Sequence, residues 1–382
     1  MEWNLIVELC GSLFIALYLG FRSINLFNLQ YFGYVNTIAK KLYWFILLIG
    51  SFSFIGCMLL RDLSDYWLPM IGYIVFSIII CFFYGIIVVD IIRFIRRFIL
   101  KQSTKNSIVL QGFYILFSLC LFFVGLYCAS FPRIVTYQVD IDKPAEVEQL
   151  KIVQVSDIHL SEITAKQFIQ TMVSNINKLK PDYVFITGDT LDNKLQPYLE
   201  KNLAEDFSKI KSTYGTIIIF GNHEHYGIER DHHNTTGDVI AAFKAGNMKV
   251  LHDDVFYDSR TGIYIIGRDD ESVQRMDLPF LMNFVEKDKP IILLDHRPSD
   301  LVEPEKVGID VMFAGHTHGG QLFPMTLVVK QQYTNAWGIY HPRGNDSFTS
   351  IVTSGYGLWG PPIRLMSRAE IVVAELHFKK QM

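Results

Sequence analysis

Four long apolar runs in the first third of the chain constrain its folding more than any other feature: Leu5 to Phe21, Leu42 to Leu60, Leu68 to Val89 and Ile108 to Phe131. Each is close to the ~20 residues with which an α-helix crosses ~30 Å of hydrocarbon. The last three carry no charge, and the first carries only Glu8. A bilayer offers no water to unpaired peptide groups, so runs of this kind are expected to form helices. The opening "MEWNL" lacks the positive stretch of a cleavable signal peptide, so the first run is expected to remain as a span.

Orientation follows from the basic residues of the short loops, which favour the cytoplasmic side. The first loop holds Arg22, Lys40 and Lys41, and the third holds Arg93, Arg96, Arg97, Lys101 and Lys105. In the second loop, "RDLSDYW", Arg61 is offset by Asp62 and Asp65. Loops one and three are therefore expected inside. Four crossings of the cell membrane then place everything after Phe131 on the extracytoplasmic face.

Polar chemistry is confined to the rest of the chain. All eleven histidines follow residue 150, whereas all five cysteines (Cys10, Cys57, Cys81, Cys120 and Cys128) lie in the apolar runs. A domain without thiols has neither a disulfide framework nor a free thiol to oxidise. The net charge of −3 gives no electrostatic footprint for a nucleic-acid partner. Residues 1–132 read as a membrane domain, 133–149 ("RIVTYQVDIDKPAEVEQ") as a polar connector with one short strand, and 150–382 as a separate domain.

That last domain alternates β-branched runs with mixed segments. "LKIVQVS", "YVFITG" and "TIIIFGN" are separated by helical stretches near Ala165 to Leu179 and Tyr198 to Lys211. "IYIIG", "PIILLDH", "DVMFAGH", "SIVTSG" and "IVVAELHF" follow more densely. Apolar strands of this length are buried on both faces. The expected fold is an α/β sandwich of two packed sheets flanked by helices, with the second sheet built from the strands after residue 255.

Five strand ends lead into polar loops: "VSDIHL", "ITGDTLDN", "FGNHEHY", "LLDHRP" and "AGHTHGG". In extended backbone, Asp157 and His159 point to one side, as do His316 and His318. The neighbouring Gly188, Gly221, Gly315, Gly319 and Gly320 allow backbone to approach a ligand closely. Nitrogen and oxygen donors without thiolate favour Mn, Fe or Zn in a catalytic centre over a structural zinc site. No HExxH pattern of a zinc peptidase is present.

The ordered series D-x-H, G-D-x-x-D, G-N-H-E, H and G-H-x-H resembles the calcineurin-like metallophosphoesterases, and "GYGLWGPPIRLMSRAEIVVAEL" resembles their bacterial membrane-associated branch. The resemblance covers residues 150 to 378. It implies two divalent metal ions, one held by Asp157, His159, Asp189 and His318, the other by Asp189, Asn222, His296 and His316. Asp189 is then the bridge. It further implies His223 as general acid, Asp192 as the residue orienting it, and a metal-bridging hydroxide that hydrolyses phosphate mono- or diesters.

Glu224 is expected to be structural. His225, His232, His233, His252, His341 and His377 match no ligand position and are expected on the surface or rim. Arg297 and Arg364 are candidates for substrate phosphate or for salt bridges. Tyr356, Leu358, Trp359, Pro361 and Pro362 are candidates for an apolar rim meeting acyl chains, which would suit a lipid-linked substrate of the envelope. Two other readings are a non-catalytic membrane sensor or scaffold that keeps the fold, and a transporter. The scarcity of ionisable residues within the spans disfavours the transporter.

Overall fold

The four apolar runs are four helices in the computed structural model, which describes residues 2–27, 35–60, 67–102, 107–231, 234–342 and 347–380. They are α1 (Glu2–Leu26), α2 (Val35–Leu60), α3 (Trp67–Phe94) and α4 (Ile108–Ser130), each long and apolar enough to cross a membrane. Arg61, Asp62, Asp65, Lys105, His232 and His233 lie outside the described residues. The chain divides into two compact units, Met1–Tyr127 with Gly360–Leu365, and Cys128–Trp359 with Met366–Met382.

In the first unit the helices turn their large apolar side chains outward: Ile108 is 83% exposed and Leu116 70%. Small residues fill the seams, as expected where hydrocarbon and side chain are equally apolar and close backbone approach decides packing. A Cβ on Gly85 would lie 2.1 Å from Ser118 Oγ, and one on Gly72 2.1 Å from Cys57 Sγ. The buried hydroxyls of Ser77 and Ser118 donate back to the carbonyls of Tyr73 and Tyr114. At one end Asp90 of α3 accepts from Tyr18 and Arg22 of α1, so this carboxylate is paired.

The described residues of the second unit form twelve strands: β1 (Arg133–Pro144), β2 (Gln149–Val155), β3 (Tyr183–Thr187), β4 (Gly215–Ile219), β5 (Met248–Val250), β6 (Asp254–Asp258), β7 (Ile263–Gly267), β8 (Ile291–Leu294), β9 (Val311–Ala314), β10 (Gly338–Tyr340), β11 (Thr349–Val352) and β12 (Glu370–Lys379). They form two six-stranded sheets, ordered β1-β12-β2-β3-β4-β5 and β10-β11-β9-β8-β7-β6. Between the sheets Ile152, Phe185, Ile217, Ile265, Leu294 and Phe313 make a continuous apolar layer. Helices such as Lys166–Leu179 cover the outer face of the first sheet with Ile169, Met172 and Ile176, and Leu278 and Leu281 cover the second. This is the α/β sandwich expected from the sequence.

Two strands depart from expectation. The stretch expected as a connector forms the 12-residue β1, which pairs in parallel with β12 along nearly its whole length. Its cause is period-2 alternation: Val139 and Ile141 point inward while Asp140 and Asp142 are exposed. β12, the last strand in the chain, leaves the second sheet and inserts between β1 and β2.

Register sets where the loops begin. Val155, Ile186, Ile218 and Val250 lie abreast at the carboxyl ends of β2 to β5. Gly267, Leu294, Phe313 and Ile351 do the same across β7, β8, β9 and β11. Loops leaving parallel strands at one level open a shared crevice, the usual place for a ligand in such sheets.

Candidate metal centre

The loop after β2 carries Asp157 and His159, and that after β3 carries Asp189. Asn222 and His223 open the helix Asn222–Asp231 after β4, His296 follows β8, and His316 and His318 follow β9. The extended backbone expected at the paired positions is absent: Asp157, His159, Asp189, His316 and His318 all have φ between 50° and 70°. Asp and His tolerate this left-handed region better than most residues, and its cost is typically met at functional sites. The tight turns send the pairs where alternation would not: His318 joins Asp157 and His159, while His316 joins Asp189 and His296.

In the first group His318 Nε2 lies 3.0 Å from His159 Nε2 and 3.4 Å from Asp157 Oδ1. In the second, His296 Nε2 lies 3.1 Å from Asp189 Oδ2, and the His296 and His316 rings are 5.1 Å apart. Asp189 Oδ2 faces both groups, being also 3.9 Å from His159 Nε2. Its other oxygen, Oδ1, accepts the His223 backbone N–H at 2.9 Å. Asp189 thus sits on the N-terminal turn of the Asn222–Asp231 helix, where the helix dipole favours a negative charge.

Close backbone approach makes the assembly possible. Gly188, at φ +87°, would place a Cβ 2.5 Å from His296 Nδ1, and Gly315 would place one 2.5 Å from Asp157 Oδ2. The Thr187 carbonyl accepts from His296 Nδ1 at 2.8 Å, which leaves Nε2, 3.1 Å from Asp189 Oδ2, as the ring nitrogen a metal would take.

Electrostatics show what this cluster lacks. Burial opposes charging His296, but Asp189 and then Asp157 outweigh it and push the imidazole up to about 10. Burial, and then the charge on His296, pushes His316 down to about 3. Desolvation drives the Asp157 carboxyl upward. His296 Nε2 and Asn222 Oδ1 are moreover buried with no hydrogen-bond partner, a state that costs ~1–3 kcal/mol per group. Orphaned donors, facing imidazole nitrogens and an all-N/O set fit a pair of divalent cations.

His223 stands beside this centre with its ring 4.6 Å from that of His159, and its Nδ1 lies 3.3 Å from Asp192 Oδ1. The same Asp192 oxygen is 3.6 Å from His159 Nδ1, so Asp192 faces two imidazoles rather than one. Asp189 and then Asp192 raise the His223 pKa against the effect of burial.

Glu224 has the structural role the sequence suggested. Its carboxylate accepts the N–H groups of Asp189 at 3.0 Å, Leu191 at 2.8 Å and Gly221 at 2.7 Å, binding the Asp189 loop to the helix that bears Asn222 and His223. Burial, then the charge of Asp189, pushes it up to about 7 despite those amides. The fourth letter of "GNHE" was the available signal.

Of the other residues singled out, Arg297 Nε donates to Asp270 at 2.9 Å. Arg364 belongs to the helical unit, its backbone N–H donating to the Gly125 carbonyl. Tyr356 is a core residue packed on Phe168, and Trp359 is 43% exposed.

Residues 150–320 match the model of the calcineurin-like phosphoesterase family. An uncharacterized metallophosphoesterase of Campylobacter jejuni is 30% identical over 386 residues, covering 96% of this chain and 100% of its own. A zebrafish (Danio rerio) transmembrane protein with metallophosphoesterase domain is 27% identical, covering 84% of this chain and 76% of its own. With five loop motifs meeting at one crevice and a full-length relative of this kind, the chain belongs to the calcineurin-like phosphoesterase family, as a membrane protein with four apolar helices.

Proposed function

We propose that this protein is a membrane-anchored phosphoesterase that hydrolyses phosphate mono- or diesters at a binuclear centre, acting on the extracytoplasmic face. The observation that carries the reading is Asp189, whose Oδ2 faces two separate histidine and carboxylate groups while its Oδ1 is held by the His223 amide. Asp157, His159, Asp189 and His318 would hold one ion, and Asp189, Asn222, His296 and His316 the other. Such ions supply Lewis acidity, neutralising phosphate charge and acidifying water.

The protein's own groups do the rest. His223, partly exposed and paired through Nδ1 with Asp192, presents Nε2 as the acid for the leaving alcohol. Glu224 keeps the Asp189 loop and the His223 helix in fixed relation. Asp192, 3.3 Å from His223 Nδ1, orients that imidazole.

The substrate is a phosphoester of the envelope, lipid-linked, and membrane lipids are the protein's immediate partners. Basic residues concentrated in the first and third loops support the orientation. Anchoring raises the local concentration of enzyme at its surface and favours membrane-borne esters. To test this, purified full-length protein in vesicles is compared with detergent-solubilised protein, on one lipid-linked and one water-soluble ester. An advantage confined to vesicles and the lipid ester is expected. Equal rates in both settings would remove the substrate assignment, and a domain shielded from protease outside intact cells would remove the orientation.

A further inference from the structure

Beyond the centre above, the described residues bring together one more group with metal-ligand chemistry: His225, His252 and Asp269, whose donor atoms lie within 4.8 Å of one another. The sequence suggested surface or rim histidines. Instead His225 is buried, and His252 is only a third exposed.

Each residue leaves the carboxyl end of a different strand. His225 lies on the helix after β4, His252 just beyond β5, and Asp269 two residues beyond β7, so the group joins the first sheet to the second. The buried Phe220 ring supports both imidazoles, at 5.6 Å from His225 and 5.3 Å from His252. Asp269 is fixed through its backbone N–H, which donates to Asp253 at 2.9 Å. A Cβ on Gly267 would lie 2.3 Å from Leu251 Cβ, so the strand leading to Asp269 packs tightly on the segment leading to His252.

We propose that His225, His252 and Asp269 form a separate zinc site. The carboxylate offers one oxygen to each imidazole: Oδ1 is 2.5 Å from His225 Nε2, and Oδ2 is 2.8 Å from His252 Nε2. Despite that distance, His252 Nε2 is a buried atom that completes no hydrogen bond of good geometry. His296 Nε2, 3.1 Å from Asp189 Oδ2 in the principal centre, is left in the same state. A buried nitrogen left so beside a carboxylate oxygen is open to a cation that both can ligate.

The shorter His225 contact is a hydrogen bond between His225 Nε2 and Asp269 Oδ1. Ligand atoms ~2.0–2.2 Å from one zinc ion in a tetrahedral arrangement stand ~3 Å or more apart, so an entering ion replaces that hydrogen bond and opens the pair by several tenths of an ångström. Two imidazoles and a carboxylate suit zinc and leave one position for water. The partly exposed edge of His252 gives the ion its way in. Bound there, zinc ties the helix bearing Asn222 and His223 to both sheets.

The test is zinc content of the purified full-length protein after equilibration with zinc and removal of excess, measured by mass spectrometry. Wild type is expected to hold one more equivalent than His252→Ala and one more than Asp269→Asn, whereas His296→Ala loses ions from the principal pair and keeps this one. Identical zinc content in wild type and both variants overturns the proposal. Because Asp269→Asn could perturb folding, anomalous diffraction at the zinc edge from wild-type crystals provides a second reading. A peak ~2.0–2.2 Å from His225 Nε2 supports the site. Peaks confined to the principal centre leave a His–Asp–His cluster that binds no ion and overturn it. Neither measurement depends on ester hydrolysis.

Discussion

The two units of this chain solve burial in opposite ways. Among the helices Ile108, Leu116 and Phe123 face outward, and the buried positions include Ser12, Ser51, Ser77 and Ser118. In the sandwich the interior includes Ile152, Phe185, Leu294 and Phe313, and the buried polar groups include ligand-type Asp and His at strand ends. The difference is one of solvent. In hydrocarbon an outward leucine costs nothing and packing is won by small residues, whereas in water apolar burial drives folding at roughly 25 cal/mol per Å² and polar groups go inside only when paired. The same side chain should therefore matter very differently in the two units.

Metal removal gives the largest expected contrast. Chelation should abolish ester hydrolysis, with recovery on adding Mn, while the helical circular dichroism of the first unit stays as it was. Hydrolysis unaffected by exhaustive chelation, with metal loss verified, would separate activity from the proposed ligands. His223→Ala comes next. A general acid contributes typically ~10²–10⁴-fold, so turnover should fall by about that much on esters with poor leaving alcohols and far less on activated aryl esters. Uniform loss across leaving groups would assign His223 another role.

A direct test of the comparison pairs two truncations. Phe185→Ala, between the sheets, should destabilise the second unit by ~3–5 kcal/mol. Leu116→Ala, on the outer face of α4, should change stability by no more than ~0.5 kcal/mol in bilayer or detergent. Similar losses in both, measured by denaturation, would break the contrast. The smallest of the large effects is Glu224→Gln, where one of the three amide contacts is lost or weakened. About 1–3 kcal/mol of stability should go, with turnover falling because the Asp189 loop is no longer held. Wild-type turnover in this variant would make Glu224 a bystander.

Legibility in the sequence followed the same divide. The spans could be read from composition, since ~20 uncharged apolar residues have few other fates. Every candidate ligand was visible as a residue type at a strand end, but the route by which Asp157, His159, His316 and His318 converge was not. That route depends on left-handed turns which Asp and His adopt only with tertiary support. β1 was legible in "VTYQVDI" by its alternation, yet its polar outer face reads like a linker until its partner β12 is known. No local pattern links His225 and His252 to Asp269, because they meet only when β4, β5 and β7 end together.

The most direct test of the central claim is turnover of an activated aryl phosphoester by Mn-loaded full-length protein, with and without Asp189→Asn, alongside metal content. The replacement keeps shape and removes the charge that faces both ligand groups. Wild type is expected to show measurable hydrolysis, and the variant a loss of at least ~10³-fold with depletion of both ions of the principal centre, in keeping with metal-assisted chemistry. Normal turnover and full metal content in Asp189→Asn, or a folded, fully loaded wild type that hydrolyses no phosphoester, would contradict that claim.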